Sequence, residues 1–160
     1  MSEAAPAREV NLRRQAEAMA AIDEKRRLTG TPWPKLGEMG GPSRAAFIQW
    51  ANRQRDPSLY KLLPLAEAFG FSIVMCGNGH CIDLGNLPDA IHAIDEQRKK
   101  RGWNLCEAAD RSGISIWSFR AWRALRRSPG LSNFVALAET FGFTVIMRQR
   151  TEALAVSEGP

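Results

Sequence analysis

Apolar residues recur along the chain at helical spacing, then switch to strand spacing, and the whole cycle runs twice. The first stretch, roughly 11–29, carries Leu12, Ala16, Met19 and Ile22 on one stripe. It ends in Glu24-Lys25-Arg26-Arg27, where cations suit the C-terminal end of a helix. Asn11 stands where a cap would open it. A counterpart starts near Pro88-Asp89 and runs to Gly102, with proline in its first turn and glycine after its last. A short second helix is predicted at about 104–111. In the first cycle Pro32, Pro34 and Gly37 make the equivalent helix poorer. Ser43 and Ser115 are placed to cap a third helix, with Phe47/Trp50 and Phe119/Trp122 spaced i, i+3 on its inner face. After the turns at Arg55-Asp56-Pro57-Ser58-Leu59 and Arg127-Ser128-Pro129-Gly130-Leu131, a fourth helix follows. Its stripe is Leu59, Leu62, Leu63, Ala66 and Phe69, or Leu131, Phe134, Val135, Ala138 and Phe141. Gly70 and Gly142 stop these helices. The β-branched runs 71–76 and 143–148 then read as strands, and Asn78-Gly79 is a hairpin signal that pairs 71–76 with 80–84.

The repetition is literal. Sliding the chain by 72 residues lays 21–75 on 93–147 without a gap. Identities include the Ala-Ile-Asp-Glu at both starts, Gly30/Gly102, Ser43/Ser115, Phe47/Phe119, Trp50/Trp122, Pro57/Pro129, Leu59/Leu131, Leu65/Leu137 and the two Phe-Gly-Phe triplets. A gapless match of this length argues for duplication of a folding unit. The expected organisation is a first repeat at 11–85, a second at 86–150, and flexible tails at 1–10 and 151–160. The tails are rich in Ala, Glu, Ser and Pro and have no periodic apolar face.

Composition narrows the class. The chain has 160 residues and a formal charge of +5, which makes an acidic partner plausible and nucleic acid the commonest one. There is neither a signal-peptide pattern nor an apolar run of spanning length, so a cytoplasmic, nucleoid-associated protein without a membrane is expected. Three cysteines, Cys76, Cys81 and Cys106, are an odd number and fit a reducing compartment rather than a disulfide scaffold. The Cys76–Cys81 stretch holds two Cys and His80, yet has neither a paired C-x-x-C nor a fourth ligand. It is read as small buried residues on a hairpin, and no metal or cofactor is expected. No P-loop, dinucleotide glycine motif or oxyanion site points to an enzyme.

In order along 104–137 come Leu105, Ala108-Ala109, Gly113-Ile114-Ser115, Phe119, Trp122, Pro129 and Leu131, then the Leu-Ala-Glu-Thr-Phe-Gly-Phe segment. This ordered set resembles the helix-turn-helix of lambda-repressor-like (Cro/cI, XRE-type) regulators. The resemblance covers most of 20–76 and 92–148, with its weakest match around Lys35-Leu36-Gly37. It implies an all-α fold with a minor β element: two tandem lambda-repressor-like domains forming a pseudo-dimer. It also implies binding to double-stranded DNA in transcriptional control in a bacterium or phage. In such a motif the third helix enters the major groove. With Phe47, Trp50, Phe119 and Trp122 inward, the base-contact candidates are Arg44, Ala45, Ile48 and Gln49 in the first repeat. In the second they are Ile116, Trp117, Ser118, Arg120 and Ala121. Asn52, Arg53, Arg55, Arg123, Arg126 and Arg127 are the phosphate-contact candidates. Ile116 is placed to touch a thymine methyl. Trp117 is costly to leave wet and also marks a protein contact. Trp33 and Trp103 read as core or helix-entry packing. Two other readings stand beside this one. In one, the chain is an antitoxin-like or anti-activator module that docks a protein through Trp117 and Ile116. In the other, one repeat binds DNA and the second dimerises. Strands 71–76 and 143–148 are expected to pair and hold the two units as a pseudo-dimer, and the C-terminal strands or the Trp117 region are the expected contact for a protein partner or a second copy.

Overall fold

The apolar stripes become eight helices around a four-stranded antiparallel sheet in a computed structural model that describes residues 8–150. The first repeat runs β1 (Glu9–Asn11), α1 (Gln15–Leu28), α2 (Trp33–Glu38), α3 (Arg44–Ala51), α4 (Leu59–Ala68) and β2 (Phe71–Gly77). The second runs β3 (His80–Asp83), a 3-10 turn at Leu84–Asn86, α5 (Leu87–Lys100), α6 (Leu105–Ser112), α7 (Ile116–Arg123), α8 (Leu131–Thr140) and β4 (Phe143–Gln149). The molecule is mainly helical with a small sheet, as the apolar pattern indicates. One continuous core joins the two halves and includes Met19, Phe47, Trp50, Leu62, Ile94, Phe119, Trp122 and Phe134.

The sheet carries the duplication further than the apolar pattern does. Its order is β1-β4-β2-β3. In the central pair Val74 lies opposite Ile146, and these positions are equivalent under the 72-residue offset. Exchanging the two repeats therefore maps the ladder onto itself. The flanking pairs obey the same exchange: Asn11 faces Ile146, and its equivalent Asp83 faces Val74. Each repeat's first strand thus pairs with the other repeat's last strand. The expected boundary at 85/86 moves to the Asn78-Gly79 turn, because β3 occupies in the second repeat the place β1 holds in the first. Alternation does the rest: Phe71, Ile73, Met75, Phe143, Val145 and Met147 point into the core. Asn78 and Gly79 both take positive φ, as a tight antiparallel hairpin demands, and the Asn78 amide donates to the Phe141 carbonyl. Gly77 admits no side chain, since a Cβ there would collide with the Gly142 carbonyl.

A second seam lies where the two fourth helices begin. Ser58 and Gly130, again equivalent positions, form a bridge. Leu59 N donates to Pro129 O at 3.0 Å, and Leu131 N donates to Pro57 O at 2.8 Å. Neither α4 nor α8 is capped by its own side chain. Each is capped by the other repeat. The Asp56 carboxylate accepts from Ser132 N at 3.0 Å and from its hydroxyl at 2.7 Å, while Ser128 Oγ accepts from Tyr60 N at 3.1 Å. These donors are among those a helix start leaves unpaired, and a carboxylate there also meets the positive end of the dipole. A Cβ at Gly130 would collide with the Asp56 carboxylate and displace it from its place at the start of α8.

Several local expectations are corrected. Helix α1 starts at Gln15 because the Asn11 side chain accepts from Arg13 N in a local turn. Its equivalent Asp83 does the same with Gly85 N. The flexible tail expected through residue 10 ends earlier: Val10 is buried in the core, and Glu9 pairs with Arg148 across the β1–β4 strands at 2.6 Å. The rest of the expected tails, 1–7 and 151–160, lies outside the described residues. Helix α2 does form, as six residues with Pro34 tolerated in its first turn. Cys76 and Cys81 face each other across β2 and β3 and are joined as a disulfide, against the expectation of reduced thiols; Cys106 is free and exposed. Cys81 is also exposed rather than buried. Among the described residues no helix is long and apolar enough to cross a membrane.

Candidate nucleic-acid interface

Helices α3 and α7 occupy equivalent places, and their starts are built alike. Ser43 Oγ accepts from Ala46 N at 3.1 Å, and Ser115 Oγ accepts from Trp117 N at 3.1 Å, so both serines cap as their positions indicate. Phe47, Trp50, Phe119 and Trp122 are buried, which turns the opposite face of each helix outward. Trp33 packs against Phe47, and Trp103 against Phe141, in keeping with a packing role.

On α3 the outward side chains are Arg44, Ala45 and Ile48, with Gln49 half-buried. Gln49 Oε1 accepts from Arg55 at 3.4 Å, so two of the candidates engage each other. Asn52 and Arg53 are exposed just beyond. On α7 the outward side chains are Trp117 and Arg120. Ile116 and Ala121 are half-buried and pack against the core, so neither is a free groove-side position; Ser118 is half-buried too. The Arg120 guanidinium lies 5.5 Å from the Trp117 ring centroid, a cation–π arrangement. Arg126 and Arg127 are exposed.

The remaining phosphate candidate, Arg123, is tied inward. Its Nη2 donates to Asp95 at 3.2 Å, and Asp95 also accepts from Arg98 Nε at 2.7 Å. Burial by itself would raise the Asp95 carboxyl. The hydrogen bond from Arg98 and the charges of Arg123 and Arg98 outweigh it and hold the carboxyl below its ordinary value. This link fastens the end of α7 to α5. In the first repeat the corresponding brace is a neutral one: buried Gln15 donates to Trp50 O at 2.9 Å and to Arg55 O at 3.3 Å. Neither Asp95 nor Gln15 stands out in the sequence, since each lies in an ordinary amphipathic stretch.

The sequence around both third helices is free of acids. From Met39 to Arg55 there is no Asp or Glu, while Arg44, Arg53 and Arg55 are present. From Arg111 to Ala138 there is again none, against Arg111, Arg120, Arg123, Arg126 and Arg127. Arg53 and Leu125, equivalent residues just past each third helix, both adopt positive φ, where glycine is usual. Among the described residues no group of three His, Cys, Asp or Glu side chains gathers as metal ligands would. Comparison with family models, with characterised proteins and with solved structures finds no match to this chain.

Proposed function

We propose that the chain is a sequence-specific DNA-binding regulator of transcription, built as two lambda-repressor-like helix-turn-helix units in a pseudo-dimer and without catalytic activity. One observation carries the reading. Two equivalent capped helices each turn outward a face with one arginine and no acid, Arg44 on α3 and Arg120 on α7, with exposed arginines on the turns beyond, and reciprocal hydrogen bonds at two seams hold them in one body. Cations on the turns after α3 and α7 suit phosphates, which position a protein and supply most of its non-specific affinity. Arg44 suits guanine O6 and N7. Carrying both heads in one chain gives the second head a high effective concentration once the first is bound. A rival reading, in which α7 docks a protein, draws support from the exposure of Trp117 and Leu125 (73% and 57%).

The test is a salt titration on random duplex DNA. Arg126→Ala with Arg127→Ala is expected to weaken binding to all sequences alike and to lower the slope of log affinity against log salt by up to ~2. No salt-dependent binding by the unaltered protein would refute the reading in favour of the protein-docking one.

A further inference from the structure

On the outward face of α7, the side chain with most to gain from burial is a tryptophan. Trp117 is 73% exposed in the first turn of a capped helix, the part of such a helix that would lie deepest in a major groove. An indole left this open costs solvation that a partner would recover. The residues beside it narrow what that partner is. Ile116 and Ala121, which would otherwise share an apolar contact, are packed against the core. The Arg120 guanidinium lies over the ring, and the segment from Arg111 to Ala138 holds five arginines and no acid. A flat apolar side chain with an arginine over it, and exposed Arg126 and Arg127 just past its helix, is complementary to a polyanion that displays apolar groups in its groove. Duplex DNA does so in one way: the C5-methyl of thymine projects into the major groove.

We infer that α7 reads its half of the DNA site chiefly through thymine C5-methyl groups packed against Trp117, whereas α3 reads its half through hydrogen bonds from Arg44. This inference rests on the proposed DNA binding and adds the chemical group that the second repeat recognises. It also reassigns the methyl contact from Ile116, which is half-buried, to Trp117. A methyl group at C5 of cytosine lies in the same place, so the same contact makes the second half-site sensitive to cytosine methylation.

The experiment uses the full chain and a duplex selected from a random pool by the unaltered protein. Each thymine in turn is replaced by deoxyuridine, which removes the methyl and leaves the hydrogen-bonding pattern unchanged. At one or two positions, all within one half-site, the replacement is expected to weaken binding about 4-fold, the factor that ~0.8 kcal/mol for one buried methyl converts to. Trp117→Ala should lose that sensitivity while Trp117→Phe keeps part of it. Binding to the other half-site should persist in both, which also reports that the variants are folded. Sequence-selective binding that is indifferent to every deoxyuridine overturns the inference and leaves the DNA reading standing. So does a Trp117→Ala protein that keeps the sensitivity, or one whose DNA profile is unchanged throughout, since Trp117 would then face something other than DNA. Failure of the unaltered protein to bind DNA at all overturns both.

Discussion

The two repeats share a backbone and differ at the surface. Phe47 and Phe119, Trp50 and Trp122, and Ser43 and Ser115 do the same work at equivalent positions. At Arg44/Ile116, Ala45/Trp117, Ile48/Arg120 and Gln49/Ala121 nothing is kept. Many of the residues held on both sides of the duplication are ones the fold needs, in the core and at the third-helix caps, whereas the seam uses Asp56 and Ser58 in one repeat and Ser128 and Gly130 in the other. Differences occur along the whole alignment, but on the outward face of the third helix none of these four positions is kept, as expected if that face meets a different partner surface in each half. The braces beneath the two helices differ as well. The first repeat uses the neutral Gln15 amide; the second uses the Asp95–Arg123 ion pair.

That difference gives the largest expected effect. Asp95→Asn should destabilise the protein by about 2–3 kcal/mol at neutral pH, because it leaves Arg98 and Arg123 without their counter-charge. Asp23→Asn, at the equivalent position, should cost less than about 1 kcal/mol, since Asp23 is more exposed and pairs only with Arg26 and Arg27 of its own helix. Denaturant melts of both variants check this. The pH dependence follows from the same carboxylate. Its folded value lies below its unfolded one, so its contribution is complete above ~3.9, the unfolded value. As pH falls through the depressed folded value that contribution disappears, and the gap between wild type and Asp95→Asn should close. Equal costs for the two variants would mean that the bond from Arg123 adds nothing to Asp95 beyond its pairing within α5.

The reciprocal caps offer a smaller contrast. Asp56→Ala should cost about 1–2 kcal/mol, as it removes a carboxylate from the start of α8 and leaves Ser132 N without its partner. Ser128→Ala should cost about 0.5–1 kcal/mol, as it removes a neutral hydroxyl from the start of α4. Because the shared core and the β2–β4 ladder still join the repeats, both variants should unfold in a single transition seen alike by near- and far-UV dichroism. Separate transitions would show that the removed cap is what couples the halves.

Much of this architecture is legible in the sequence because it is local. A serine one residue before an apolar helix caps it, Asn-Gly closes a hairpin, and an i, i+3 aromatic pair faces the core; Ser43, Asn78 and Phe47 all behave so. What escapes is non-local or too short for a period to show. Strand β1 has three residues with a single buried one, Val10, and exists because β4 lies beside it. Asp56 looks like a turn residue and is one, but the helix N–H it caps, that of Ser132, lies 76 residues away. The outward face of α7 was only partly legible. The period separates Phe119 and Trp122 from the rest, yet it does not show that Ile116 and Ala121 lean back onto the core and leave Trp117 and Arg120 outside. Nor does spacing reveal that Arg123, one of a run of arginines, is tied to Asp95.

Two unlike reading heads in one chain are tested most directly by selecting bound duplexes from a random pool. The selected site is then profiled over every single-base variant with the wild type and with Arg44→Ala. The expected result is two half-sites of different sequence, centred about one DNA turn (~10–10.5 base pairs) apart. Arg44→Ala should relax the preference at one or two base pairs of one half only, by roughly 1–3 kcal/mol each. A palindromic site, or profiles that keep the same shape and differ only in strength, would contradict the account.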